Sequence, residues 1–305
     1  MSYGSQDWAD LVREIRTDPG SEEPRLIAAD YLIERNDPRG EYIVVKSRLD
    51  AGVPSSKYLA VYERYRELAH EADWSKPLGA LGAQPLSGFG FSFRHGFVEE
   101  VRFVDHTIAN LAAACRLEPI TGLVVEGRAA LHPDIPLIPE LGEIVDLLID
   151  ASCARLLASP FLGGVRSFAI KGLFTPDLAA MLADSVVRPH RFAHGFGLET
   201  ARVLVESNAL DQLREVVERG ETDEDLELIA RSPLAHLRLL ELTEARVTVR
   251  SFEALGPRLD QLEVFRFDGH IDRELATVLV KHMPSGRLRE LRLASTTDDE
   301  RGVID

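Results

Sequence analysis

Apolar residues follow two rhythms along the chain, and the change between them divides it. Up to about residue 75 they recur at three- and four-residue intervals, the signature of helices with one buried stripe. Trp8, Leu11, Val12 and Ile15 follow Ser5, a good N-cap, and Asp18-Pro19-Gly20 ends that helix. A second helix is expected after Ser21, with Leu26, Ala29, Tyr31 or Leu32, and Ile33 on its buried side. A third is expected to start at Asp37-Pro38, and a fourth after Ser55-Ser56, where Tyr58, Val61, Tyr62, Tyr65, Leu68 and Ala69 suggest an aromatic core stripe.

From residue 98 the rhythm becomes apolar, two residues, apolar, one residue, apolar. It occurs at Val98-Val101-Phe103, Ile120-Leu123-Val125, Ile144-Leu147-Ile149, Val165-Phe168-Ile170, Val187-His190-Phe192, Leu213-Val216, Leu237-Leu240-Leu242, Leu262-Phe265-Phe267 and Leu288-Leu291-Leu293. The starts lie 22, 24, 21, 22, 26, 24, 25 and 26 residues apart. Helical stretches fill several gaps, at 107–115, 176–185, 199–207, 223–231 and 273–281. A strand motif at a period in the twenties, alternating with helices, is the leucine-rich-repeat pattern. The expected fold is therefore α/β: a leucine-rich-repeat solenoid, strands concave and helices convex, preceded by a small all-α N-terminal domain. The expected division is a helical domain at 1–75, a Gly/Pro-rich connector at 76–96, about nine repeats over 97–294 and an acidic tail at 295–305. Glu218 falls where the repeat beginning at Leu213 should be apolar, which leaves its register open.

Between the second and third helices lies a knot of charge, with Asp30, Glu34, Asp37, Arg39 and Glu41 inside twelve positions. Each has a structural task at a helix–helix corner. Asp37 would cap the third helix and Pro38 would occupy its first position. Glu41 would face the positive end of the helix dipole, Arg39 would reach Asp30 or Glu34, and Gly40 would let the helices approach. The competing reading, a divalent-metal enzyme using Asp30, Glu34, Asp37 and Glu41, lacks a histidine and a loop to hold a substrate.

The string AADYLIERNDPRGEYIVVKSRL resembles the bacterial repeat-companion domain, whose pattern runs A-D-x-L-x-E-x-x-D-P-R-G-E-F/Y-I. The match covers residues 21–49, with Tyr31 where tryptophan is usual and Asn36 where glycine is common. The resemblance implies a short helical module ahead of a repeat array, commonly leucine-rich repeats, and carries no catalytic residues.

Composition narrows the partner. A net charge of −15, with no Lys/Arg run, argues against nucleic acid, whose phosphates require a basic face. No stretch is apolar enough to span a membrane and no signal peptide is evident, so a cytoplasmic setting is expected. Cys115 and Cys153 read as reduced, buried thiols. GFGFSF at 88–93 lacks the third glycine and the Lys-Ser/Thr of phosphate loops. His190 and His194 share a strand region without a third ligand, and His190 is expected in a core position. No cofactor or metal is called for.

What remains is a binding surface. Residues between the core positions of each strand should line the concave face: Arg102, Val124, Leu148, Ala169, Arg191, Val217, Glu241, Arg266 and Arg292. Beside them run Glu126, Asp150, Lys171, Arg219, Thr243 and Asp268. Arginines around an apolar centre suit protein recognition. The expected function is non-enzymatic binding of a protein partner on this face, with a regulatory or immunity-type inhibitor of an enzyme as the alternative.

Overall fold

The computed structural model describes residues 5–71, 76–85, 93–94, 96–127, 133–193, 198–207, 209–219, 222–232, 234–245, 247–282 and 287–294. Packing divides the chain into two compact units, Met1–Asp146 and Leu147–Asp305. No described helix is long and apolar enough to cross a membrane.

The first unit opens with four helices: α1 (Gln6–Thr17), α2 (Glu23–Ile33), α3 (Pro38–Ala51) and α4 (Ser55–Glu71). The Ser5 hydroxyl caps α1 by accepting from Trp8 N, and Trp8, Val12 and Ile15 are buried. On α2 the buried side is Arg25, Ala28, Ala29 and Leu32, whereas Leu26 and Ile33 are exposed. The apolar count places Ala29 and Leu32 correctly and misplaces Leu26 and Ile33, because a paired arginine occupies part of this face. On α4, Leu68 is buried, but Tyr58 and Tyr62 stack on each other in an exposed position, so that stripe is core only at its far end.

Inside the stretch expected as a connector stand α5 (Lys76–Ala80) and β1 (Ala83–Pro85); GFGFSF lies outside the described residues up to Phe93. A two-stranded ribbon of β2 (Phe93–Arg94) and β3 (Phe97–Val98) precedes β4 (Glu100–Val104), α6 (Leu111–Leu117) and β5 (Gly122–Glu126). The unit's sheet runs β1-β4-β5, with β1 antiparallel to β4 and β4 parallel to β5. On β4 and β5, Val101, Phe103, Leu123 and Val125 are buried and alternate with half-buried residues.

The second unit carries β6 (Asp146–Asp150, which begins at the first unit's last residue), β7 (Ser167–Lys171), α7 (Pro176–Asp184), β8 (Arg191–Ala193), α8 (Leu198–Glu206), β9 (Glu215–Arg219), α9 (Asp223–Arg231), β10 (Leu239–Ala245), α10 (Val249–Leu259), β11 (Val264–Gly269), α11 (Arg273–His282) and β12 (Glu290–Ala294). Its strands lie in chain order, β6 through β12, and the pairings from β7 onward are parallel. Ser167, Arg191, Glu215, Leu239, Val264 and Glu290 stand side by side, each 24 to 26 residues after the last. The next residues form an apolar row, Phe168, Phe192, Val216, Leu240 and Phe265, all buried. Helices α7 to α11 pack successively on one another.

Two expectations change here. Helix α10 was not legible because Gly256 and Pro257 interrupt its pattern, yet Phe252, Leu255 and Leu259 form a buried stripe. A Cβ at Gly256 would lie 2.5 Å from the His282 ring, so the glycine admits α11. The strand at 191–193 is also re-registered. Phe192 aligns with Phe168, so His190 is not a core residue but precedes the strand, beside Arg166. The register of the Leu213 segment stands as read, with Glu218 opposite Leu242.

Candidate functional site

The charged knot resolves into a corner and an anchor. Asp37 accepts from Arg39 N at 3.0 Å and Pro38 starts α3. Asn36 before it is left-handed, φ 55°, a conformation that glycine or asparagine tolerates best. A Cβ on Gly40 would stand 2.5 Å from Ala29 O and 2.8 Å from Ile33 N, so only glycine fits between α2 and α3. Glu41 accepts from Arg64 at 2.7 and 2.8 Å, and that pairing lowers its pKa. Asp30 is exposed on α2.

Arg39 turns away from Asp30 and Glu34. Its two terminal nitrogens donate to both oxygens of Glu118 at 2.7 Å, and its Nε donates to Gly96 O at 2.9 Å. Glu118 also accepts from Val98 N, and the guanidinium lies over the Phe97 ring, 4.9 Å from its centroid. Both side chains are buried. A second buried pair joins Arg25 to Glu99, with Arg25 also donating to Ser21 O. No spacing in the sequence links residue 39 to 118, and only folding brings them together. With Asp37 spent on a cap and Glu41 on Arg64, two of the four carboxylates of the metal reading already have protein partners. Among the described residues no group of three or more His, Cys, Asp or Glu could hold a metal ion.

The predicted binding residues divide between the units. In the first, Arg102 donates to Gln84 at 2.8 Å and lies 3.8 Å from Glu126, and Val124 is its row neighbour. In the second, the central row runs Ala169, Ala193, Val217, Glu241, Arg266 and Arg292. Arg191 therefore belongs one row earlier, between Ser167 and Glu215, on the same side of the strand two residues before Ala193. Leu148 is half-buried and Lys171 exposed, and Arg219 aligns with Thr243.

This face carries a ladder of charge. Arg191 lies 3.9 Å from Glu215. Arg266 bridges two strands, donating to Glu290 at 2.8 Å and to Glu241 at 2.9 Å. Those two carboxylates, Glu290 first, raise the Arg266 pKa, and Arg266 in turn holds Glu290 below its usual value. Glu215 and Glu290 were missed as members of this face, although Glu215 stands directly before buried Val216 and Glu290 before Leu291, the apolar position of its strand, where strand alternation expects an outward side chain.

Neither cysteine offers a nucleophile. Burial pushes the Cys115 thiol up to about 12, so it stays protonated, and Cys153 is buried too. His194 lies outside the described residues. No family model matches the chain, and no curated protein matches it.

Proposed function

We propose that the chain is a non-enzymatic interaction protein, a repeat-companion-like helical module followed by a leucine-rich-repeat solenoid, which binds a protein partner on the open sheet face of its second unit. The observation that carries this reading is the graded row from Ala169 and Ala193 through Val217 to Glu241, Arg266 and Arg292. Small apolar side chains lie at one end and an exposed fork of charge at the other, the mixture that recognition surfaces use. The steady 24- to 26-residue advance between paired strands supports the solenoid reading. Left-handed Asn36 and close-packed Gly40 support the resemblance of the charged corner, since both positions demand particular residue types.

The test is affinity capture from the native host's lysate with wild type and with Arg266→Glu/Arg292→Glu, alongside their melting temperatures. A protein held by wild type and lost by a variant that melts within about 2 °C of it supports the open-face assignment. Equal capture by both forms overturns it.

A further inference from the structure

A second charged feature of the second unit lies away from the open face, where strands β7 to β12 begin. The residues immediately before these strands are Arg166, His190, Arg214, Arg238, Glu263 and Arg289, and backbone hydrogen bonds set them in order. His190 N donates to Arg166 O, Arg214 N to His190 O, Arg238 N to Arg214 O, Glu263 N to Arg238 O and Arg289 N to Glu263 O. Arg238 stands two residues before buried Leu240, and Glu263 two before buried Phe265. The row therefore prolongs the buried side of the sheet past its end, not the open side. At about 4.8 Å per strand, it extends roughly 24 Å from Arg166 to Arg289.

All four arginines of this row are exposed. The row's far end opens into a cavity of about 750 Å³ lined by His236, Arg238, Arg258, Glu263, Arg287 and Arg289. Four arginines thus share the cavity with one carboxylate, in a chain whose net charge is −15. Arg258 is engaged with the protein, donating to the carbonyls of Ala230, Ser232 and Leu234 at the end of α9. Glu263 is held loosely, one oxygen 3.3 Å from Arg238 and the other 3.8 Å from Arg289. His190 adds little charge: burial, then Arg214 and Arg166, lower its pKa, which keeps it neutral at pH 7.

We infer that this edge binds an acidic polypeptide segment, whose carboxylates join Glu263 between Arg238 and Arg289. Glu263 itself shows that a carboxylate fits between those guanidiniums. An extended segment of about seven residues covers the row at roughly 3.3 Å per residue. Carboxylate, not phosphate, is the group that the row already holds between two of its guanidiniums, and this favours an acidic peptide over nucleic acid, whose attraction to four exposed arginines would be charge alone.

The experiment is fluorescence anisotropy with fluorescein-labelled hepta-glutamate at low salt, and with a labelled heptathymidylate as the second probe. Wild type should bind the peptide, and more tightly than the oligonucleotide. Arg238→Glu/Arg289→Glu should weaken peptide binding at least tenfold, with Arg238→Gln/Arg289→Gln as the milder form should the first not fold. Glu263→Gln, which removes the internal competitor, should tighten binding about threefold, while Glu253→Gln on exposed α10 surface leaves it unchanged. Arg266→Glu/Arg292→Glu should retain the peptide, so failure here is distinguishable from failure of the open-face reading. Absence of peptide binding, binding indifferent to Arg238 and Arg289, or preference for the oligonucleotide would each overturn the inference.

Discussion

The same two residue types are put to opposite uses in the two units. In the first, Arg39 and Glu118 form a bidentate pair whose side chains are 1% and 4% exposed, with Arg39 Nε donating to Gly96 O, Glu118 also accepting from Val98 N, and the guanidinium over the Phe97 ring. In the second, Arg266 lies between Glu241 and Glu290 with side chains 26% to 46% exposed. Burial decides what such a pair does. A buried charge that loses its partner has no water to turn to, so the intact pair determines which surfaces must meet. An exposed pair exchanges its partner for water at little cost and can exchange it for another protein's groups as readily.

The largest expected effect tests the buried side. Glu118→Ala leaves Arg39 buried and uncompensated, and should cost about 3–5 kcal/mol by chemical denaturation. A loss under about 1 kcal/mol would mean that water reaches Arg39 and that the contrast fails. Gly40→Ala should follow at roughly 1–3 kcal/mol, because its methyl would press against Ala29 O at the α2–α3 contact. A neutral Gly40→Ala would show that the corner yields and that the anchor does not depend on it.

Most of the helices (not α5 or α10), the strand period and the local corner chemistry were legible in the sequence, because each rests on residues within one turn or one repeat. Ser5, Asp37, Gly40 and the buried positions Phe168, Val216, Leu240 and Phe265 belong to that class. The partners of Arg39 and Arg25 were not, since Glu118 and Glu99 stand 79 and 74 residues away and no local pattern marks them. The arginine at 25 also shifted the buried side of α2, which keeps Ala29 and Leu32 but not Leu26 or Ile33. At the open face the residue types were legible, and the error lay in alignment: the short segment Arg191–Ala193 has a single strongly apolar residue, Phe192, so the pattern could slide by two. On that face strand alternation does point Glu215 and Glu290 outward, but nothing local says which arginine each will meet.

Between the extremes stands Asp223, which joins neighbouring segments of the second unit by accepting from Thr248 N and Thr248 Oγ1, both at 2.7 Å. Burial raises its pKa, but the hydrogen bonds from Thr248 and Ser251 outweigh that and hold it below the ordinary 3.8. A folded value below the unfolded one means that the carboxylate's contribution is complete above about pH 3.8 and fades as pH falls through the lower folded value. Asp223→Asn should therefore cost about 1 kcal/mol at pH 7. Its stability deficit relative to wild type should shrink below pH 3.8, as followed by urea denaturation across pH 2–7. A deficit independent of pH would assign the loss to shape instead of charge.

The smallest effect on stability is the sharpest test of the comparison. Arg266→Ala removes the two cross-strand pairs that this arginine makes on the open face, yet should change stability by less than about 1 kcal/mol, since the side chains already share their charge with water. Raising salt to about 1 M, where the Debye length is near 3 Å, should change wild-type stability no more than the variant's if the bridge contributes little. Arg266 also stands directly opposite Arg292, so its removal relieves a like-charge contact while losing two favourable ones. These terms oppose each other, which is why the expected change is near zero. Should Arg266→Ala instead cost as much as Glu118→Ala, the open-face ladder would be a structural element like the buried anchor, and its arginine would be held too firmly to meet a partner.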